Sequence, residues 1–378
     1  MPEAPAKPRV KRSVDRTPVW FLRQAGRYMP EYMAVRKHHS LLDICRTPDI
    51  AAEVTITAAE RLGVDAAIIF ADLLLPFTPM GLDFEFVNGE GPVVHHPIRT
   101  LEQIQALRTD RTDDLRYVSH AIEKVVKHFN TAQASKPGNA GQALNTGPDF
   151  SPATSAPQTT RPLSPGTMDQ LGIIGFVGAP FTLASYMIEG GSSRNYIEAK
   201  KMMYSPGKAW PLLMEKLLTV LTAYAAQQVE AGADVIQVFD SWAGALSVQD
   251  YRDYCLAPTT ELIQRIKALG VPVIYFGVDT ASLLPTFRET TADVLGLDWR
   301  VPLDHAWHSL HYRVAVQGNL DPITLFASPD VIESRVKQIL QQAANRPGHI
   351  FNLGHGIVPN TPVQAVIDVV NLIKKSTP

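Results

Sequence analysis

Apolar, β-branched runs recur along the chain at residues 64–70, 171–177, 234–239, 272–276, 294–297, 314–317 and 349–353, with 19–22 as a candidate eighth. Most are continuous rather than alternating, which is the pattern of strands covered on both faces. Between them, apolar residues return at helical spacing. The stretch 210–231 stops at Gly232 and 256–269 stops at Gly270, while 329–344 and 362–375 follow near the C-terminus. Glycine just past a helix is a good stop because it adopts the left-handed backbone at little cost. About eight β/α alternations in 378 residues predict an α/β protein built as a (β/α)8 TIM barrel. An open doubly wound sheet is the runner-up, but no G-x-G-x-x-G follows any of the strands.

One segment breaks the alternation. From Asn130 to Asp169 the chain is dominated by Pro, Gly, Ser, Thr, Ala, Asn and Gln. So few large apolar side chains cannot offset the entropy of ordering it. The segment therefore reads as a disordered low-complexity surface insertion, joining a helix over 115–129 to the next strand. It is not a domain boundary, because the same alternation resumes after it. Residues 1–16 are polar and proline-rich, lack an apolar signal core, and read as a flexible tail. That leaves 17–378 as one domain, with 130–169 as its insertion.

Composition narrows the function classes. A hydrophobic content of 45% is enough for a sizeable core, and a formal net charge of −2 gives no reason to expect nucleic acid or an anionic membrane. No apolar run approaches the length that spans a bilayer. The two cysteines, Cys45 and Cys255, form no CxxC pair and suit a reducing compartment. A soluble, cytoplasmic protein is the expectation.

Candidate chemistry concentrates where a barrel places its ligand, at the C-terminal ends of the strands. Arg23-Gln24-Ala25-Gly26-Arg27 directly follows the apolar run 19–22. Arginine offers a planar, permanently charged fork to carboxylates, and Gly26 lets backbone approach a ligand closely. This predicts an anionic, multi-carboxylate ligand, against the bland reading of a basic surface turn. Past the other runs stand Asp72, Tyr186, Ser241 and His355. Each has an ordinary alternative. Asp72 is a preferred residue for a helix N-cap, Tyr186 for a half-buried core, Ser241 for satisfying its own loop, and His355 for a hydrogen-bonded structural role. The remaining paired and clustered histidines (His38, His39, His95, His96, His305, His308, His311) lack the acidic or cysteine partners of a metal site.

Residues 18–27 (Pro-Val-Trp-Phe-Leu-Arg-Gln-Ala-Gly-Arg) closely resemble the N-terminal signature of the uroporphyrinogen decarboxylase family. Residues 175–190 resemble its second signature. Phe239-Asp240-Ser241-Trp242-Ala243-Gly244, Gly296-Leu297-Asp298-Trp299, Gln317-Gly318-Asn319-Leu320-Asp321-Pro322 and Asn352-Leu353-Gly354-His355-Gly356 are similar to further family stretches, in the same order. The likeness runs from about Thr17 to Lys374. Leu22 stands where the family usually has methionine, and the 130–169 insertion is unusually long.

The resemblance implies a single distorted (β/α)8 domain that removes the carboxyl groups of the four acetate side chains of uroporphyrinogen III, giving coproporphyrinogen III on the route to haem. It implies no metal, no organic cofactor and a homodimer. The substrate-contacting positions it implies are Arg23, Gln24, Ala25, Gly26, Arg27, Asp72, Tyr186, Ser241 and His355, with Asp72, Arg23 and Arg27 as the catalytic set and Arg36 as a further basic residue near the cleft. Two rivals remain. Zinc-dependent methyltransferases of the same fold resemble a His-x-Cys pattern with a distant second Cys, but the matching places here read Ser241-Trp242-Ala243 and Gly354-His355-Gly356. A non-catalytic tetrapyrrole-binding protein would keep the arginines and lose the carboxylate, whereas Asp72 is present.

Overall fold

Seven of the eight apolar runs overlap a paired strand. In the computed structural model, which describes residues 16–87, 89, 91–134 and 171–376, the strands are β1 (Ala66–Ile68), β2 (Phe84–Val87), β3 (Gly91–Val94), β4 (Gly172–Gly178), β5 (Val235–Asp240), β6 (Val273–Gly277), β7 (Val294–Gly296), β8 (Ala315–Gln317) and β9 (His349–Ile350). Seven of them pair in parallel in the order β1-β4-β5-β6-β7-β8-β9. The sheet curls into a TIM-barrel-like wall with helices outside it.

The expected eighth strand over 19–22 is reduced to a single bridge between Val19 and Phe351. Phe351 N–H donates to Pro18 O (2.8 Å) and Trp20 N–H to Phe351 O (3.3 Å), while on the other side Asp65 N–H donates to Val19 O (2.8 Å). This segment thus stands in the seam between β9 and β1. It cannot extend as a strand for two local reasons. Pro18 has no N–H to give a ladder, and the Val19 N–H is taken by the Asp65 carboxylate at 2.8 Å. The same carboxylate receives both Arg16 nitrogens, at 2.7 and 2.5 Å. Arg16, the last residue of the expected tail, is therefore anchored; residues 1–15 lie outside the described residues.

Inside the barrel, Phe176, Phe239 and Phe276 meet edge to face at 5.5 and 6.2 Å. A short polar chain crosses this apolar space. Trp20 Nε1 donates to Gln317 Oε1 (3.0 Å), and Gln317 Nε2 donates to Gln237 Oε1 (3.3 Å). A hydrogen bond in a dry interior is hard to replace. It holds the residues just before Arg23 in place.

The helices fall close to their patterns. Ala209–Glu230 and Leu256–Lys267 end before Gly232 (φ 106°) and Gly270 (φ 88°), which take the left-handed backbone expected of stop residues. Pro329–Ala343 and Val363–Ser376 close the chain's helical shell. The helix expected over 115–129 is Arg116–Ala134, so the first residues assigned to the insertion continue it. Ala and Gln are good helix formers, and Thr131 satisfies its hydroxyl on Lys127 O (2.8 Å) rather than breaking the helix. The remainder of the insertion lies outside the described residues. The antiparallel hairpin of β2 and β3 was not expected, although the Asn88-Gly89 pair between Phe84-Glu85-Phe86-Val87 and Gly91-Pro92-Val93-Val94 is a legible hairpin signal.

Candidate active site

The arginine loop is built by its neighbours rather than by itself. Gln24 is buried, its Nε2 donates to Ala66 O of β1 (3.0 Å), and its Oε1 accepts from Phe21 N (3.2 Å). Tyr28 caps the turn by donating to Gln24 O (2.7 Å). Gln24 therefore spends its side chain on holding the loop against β1. Ala25 lines a small pocket behind the loop with Met29 and Tyr32. Gly26 packs so closely that a Cβ there would stand 3.1 Å from Arg23 O. With the loop fixed, Arg23 and Arg27 are left exposed. Arg23 has a left-handed backbone (φ 60°), a costly conformation for a residue with a side chain and one concentrated at functional sites.

Arg27 and Arg36 flank Tyr32, whose ring meets Phe70 at 5.3 Å. Burial raises the Tyr32 phenol, and the two guanidiniums oppose it. Arg36 is half-buried and donates to His39 O at 2.5 Å.

Asp72 follows β1 at the base of the mouth. The N-cap reading is half true: Oδ1 accepts from Leu74 N–H at 2.9 Å. Its second oxygen has no hydrogen-bond partner among the described residues. Burial raises its pKa, opposed by the Leu74 hydrogen bond and by the Arg23 charge. Tyr186 stands nearby, on the helix Pro180–Glu189, its phenol pushed up to about 12 by burial and then by the Asp72 charge. Its ring meets Trp242 at 5.7 Å, and a Trp242 hydrogen bond opposes that rise. Ser241 is half-buried, and its hydroxyl has no hydrogen-bond partner among the described residues.

The loop carrying Ser241 and Trp242 rests on a buried group that sequence reading passed over. Asp240, at the end of β5, accepts from Thr182 Oγ1 (2.7 Å) and Tyr275 OH (2.7 Å). Because Tyr275 donates to the carboxylate, Tyr251 OH donates to Tyr275 OH (2.7 Å). Thr182 Oγ1 in turn accepts from Trp242 N–H (3.2 Å). Burial raises the Asp240 pKa from 3.8 to about 6 despite these donors. The folded state thus holds the proton more tightly than the unfolded chain. Its stabilising effect is complete below the unfolded value and is lost as pH rises to the folded one. We expect the unfolding free energy of the parent, relative to Asp240→Asn, to fall by about 2–3 kcal/mol between pH 4 and 7. Urea unfolding of both proteins at several pH values measures this; a constant difference would mean the carboxyl titrates in its ordinary range.

His355 completes the mouth from the β9 side. Gly354, before it, lies against the Trp299 backbone, and Gly356, after it, lies against the Arg23 side chain. Burial first, then the Arg23 charge, lowers the His355 pKa, with Asp298 opposing. The neutral imidazole is favoured, and Nδ1 faces only Gly356 O, at 3.4 Å. That assigns the proton to Nδ1 and leaves Nε2 as an acceptor. Beside it, Arg300 stacks over Trp299 (4.5 Å) and pairs with Asp298 (2.7 Å) and Asp279 (2.9 Å). Arg300 escaped sequence reading; applying the strand-end rule to 294–297 would have found it.

Arg23 is the hub. Its charge bears on Asp72, Tyr186 and His355 at once. Among the described residues, no group of three or more His, Cys, Asp or Glu is placed to hold a metal ion, and no helix is long and apolar enough to cross a membrane. Both cysteines are buried.

The model of the family "Uroporphyrinogen decarboxylase (URO-D)" matches residues 10–135 and 153–376. The chain belongs to the uroporphyrinogen decarboxylase family. The break in the match falls inside the polar segment. A uroporphyrinogen decarboxylase of Koribacter versatilis is 56% identical over 364 residues, covering 96% of this chain and 93% of the relative. One from Solibacter usitatus is 46% identical over 368 residues, covering 97% and 96%. Among solved structures, a methyltransferase from Methanosarcina mazei superposes with a TM-score of 0.69 at 17% identity, covering 97% of this chain and 96% of that one. A B12-independent methionine synthase from Shewanella sp. reaches 0.52 at 11% identity, covering 90% and 91%. At those identities the likeness is one of fold.

Proposed function

We propose that the mouth binds uroporphyrinogen III and removes the carboxyls of its acetate side chains, with Asp72 as the transition-state stabiliser and Arg23 and Arg27 as the rim that holds the substrate. The chain is a uroporphyrinogen decarboxylase, a carboxy-lyase of porphyrin biosynthesis. The single observation that carries the assignment of roles is a half-buried carboxylate, Asp72, anchored by Leu74 N–H on one oxygen and within range of the Arg23 charge.

The chemistry follows from the substrate. It carries eight carboxylates, and each charge-assisted contact to an arginine contributes roughly 1.5–3 kcal/mol. A pyrrole acetate cannot release carbon dioxide directly, because the carbanion left behind is unstabilised. Adding a proton to the neighbouring ring carbon places positive charge toward the ring nitrogen. The C–CO2 bond can then break, its electron pair forming an exocyclic C=C bond. A second proton on that methylene gives the methyl, and loss of the ring-carbon proton restores the pyrrole. One proton is consumed and one carbon dioxide leaves per acetate. A carboxylate beside the pyrrole N–H groups favours the developing charge more than the ground state, which is what accelerates a reaction.

Tyr186, Ser241 and His355 are assigned to substrate carboxylates and ring edges, as are Ala25 and Gly26; Gln24, buried and bonded to Ala66 and Phe21, serves the site by holding the loop rather than by touching substrate, and Arg36 extends the basic rim. The substrate supplies its own electron sink, so the reading requires neither metal nor organic cofactor. We extend to this chain the homodimer that the resemblance implies and the cytoplasmic location that its composition suggests.

Anaerobic incubation of chelator-treated protein with uroporphyrinogen III, followed by oxidation and chromatographic counting of product carboxyls, tests the reading. Seven-, six-, five- and four-carboxyl porphyrins are expected. Unchanged eight-carboxyl material from folded protein would refute it.

A further inference from the structure

The Arg23 charge bears on three groups of the mouth, yet among the described residues its side chain makes no hydrogen bond or ion pair to hold it there. What it does have is a close neighbour. A Cβ placed on Gly356 would stand 2.5 Å from Arg23 Cδ, 2.8 Å from Cγ and 3.0 Å from Nε. These are atoms in the middle of the arginine side chain, so a small shift of its tip cannot relieve the overlap; the side chain must leave its rotamer. The two backbones cannot part either. Ile357 N–H donates to Leu22 O (2.9 Å), Leu22 N–H to Asn352 Oδ1 (3.0 Å) and Trp20 N–H to Phe351 O (3.3 Å). Gly356 is not among the glycines with positive φ, so its backbone suits any residue. The three nearest atoms to such a Cβ all belong to Arg23.

We propose that Gly356 is a positioning residue for the decarboxylation: its bare Cα forms the berth along which the Arg23 side chain lies, setting the guanidinium over Asp72 and beside His355. The glycines either side of His355 then have different duties. Gly354 meets the Trp299 backbone and serves packing, whereas Gly356 meets a side chain of the catalytic set and serves its aim. The proposal rests on the decarboxylase reading above.

The test is a double-mutant cycle in the full chain: Gly356→Ala, Arg23→Ala and both together, followed by kcat/KM for uroporphyrinogen III and the melting temperature. Displacing a binding group by about an ångström costs tenfold or more, so Gly356→Ala alone is expected to lower kcat/KM by about that factor. In the Arg23→Ala background the same change should cost less than about twofold, since nothing is left to displace. Equal losses in both backgrounds, or no loss in the single variant, would overturn the proposal. If Gly356→Ala fails to fold, recovery of folding in the double variant supports the collision with Arg23, and failure of the double variant overturns it. A parent chain without turnover overturns the decarboxylase reading instead. The cycle is then read in equilibrium binding of uroporphyrin III, where the same non-additivity is expected.

Discussion

Asp72→Asn lowers turnover of uroporphyrinogen III about 100-fold or more while the protein keeps its melting temperature within a few degrees; that is the largest effect expected from any single change at the mouth. Asparagine is nearly isosteric and keeps the oxygen that accepts from Leu74 N–H at 2.9 Å, so the turn after β1 survives. What disappears is the negative charge. In the folded protein that charge is disfavoured by burial, and its pKa is raised accordingly, so its loss does not cost stability. For the reaction the same partial burial is useful: a carboxylate fixed where water screens it less than in bulk acts more strongly on positive charge developing in the pyrrole. Because the carboxyl must be ionised to act, the parent's activity falls as pH drops through the raised pKa. The asparagine variant lacks that acid limb. Anaerobic rates across pH, with thermal unfolding in parallel, measure both; near-normal rates in the variant would remove Asp72 from the role.

Arg23→Ala is expected to lower kcat/KM by roughly 10- to 100-fold, the loss of one or two charge-assisted contacts to substrate carboxylates. Its backbone is left-handed at φ 60°, and alanine meets the same cost there, so folding is little changed. The pH profile separates this role from a purely structural one. Arg23 is the charge that pulls the Asp72 pKa down. Without it, that pKa rises, and the acid limb of kcat/KM moves to higher pH. Arg23 also helps keep His355 neutral, so the imidazole's pKa rises as well. Arg23→Lys retains charge without the planar fork and should move the limb less while still weakening binding. An unchanged KM together with an unchanged limb would show the loop to be scaffold.

The two changes are expected to be non-additive. Asp72 and Arg23 act on each other through charge, so the double variant Asp72→Asn with Arg23→Ala should lose less than the product of the single losses.

The sequence by itself determined the chain's alternation, because strands buried on both faces must be apolar throughout and helices must end where a residue tolerates the left-handed backbone, as Gly232 and Gly270 do. It also placed Asp72, Tyr186, Ser241 and His355 just past strand ends, where a barrel collects its chemistry. Their joining was decided only by the tertiary structure. Val19–Leu22 reads as a strand, yet Pro18 and the Asp65 carboxylate leave it one bridge, and the chain turns early enough to lift Arg23 into the mouth. Asp240 reads as one more polar residue at a strand end; burial beneath Thr182 and Tyr275 makes it the support of the Trp242 loop. Gln24 and Arg23 are adjacent and equally polar, but hydrogen bonds to Ala66 and Phe21 turn the first inward while the second is left outside. Periodicity is a property of neighbours along the chain. Which polar group is spent on the fold and which is left for the ligand depends on partners tens or hundreds of residues away, and only the closed barrel brings those together.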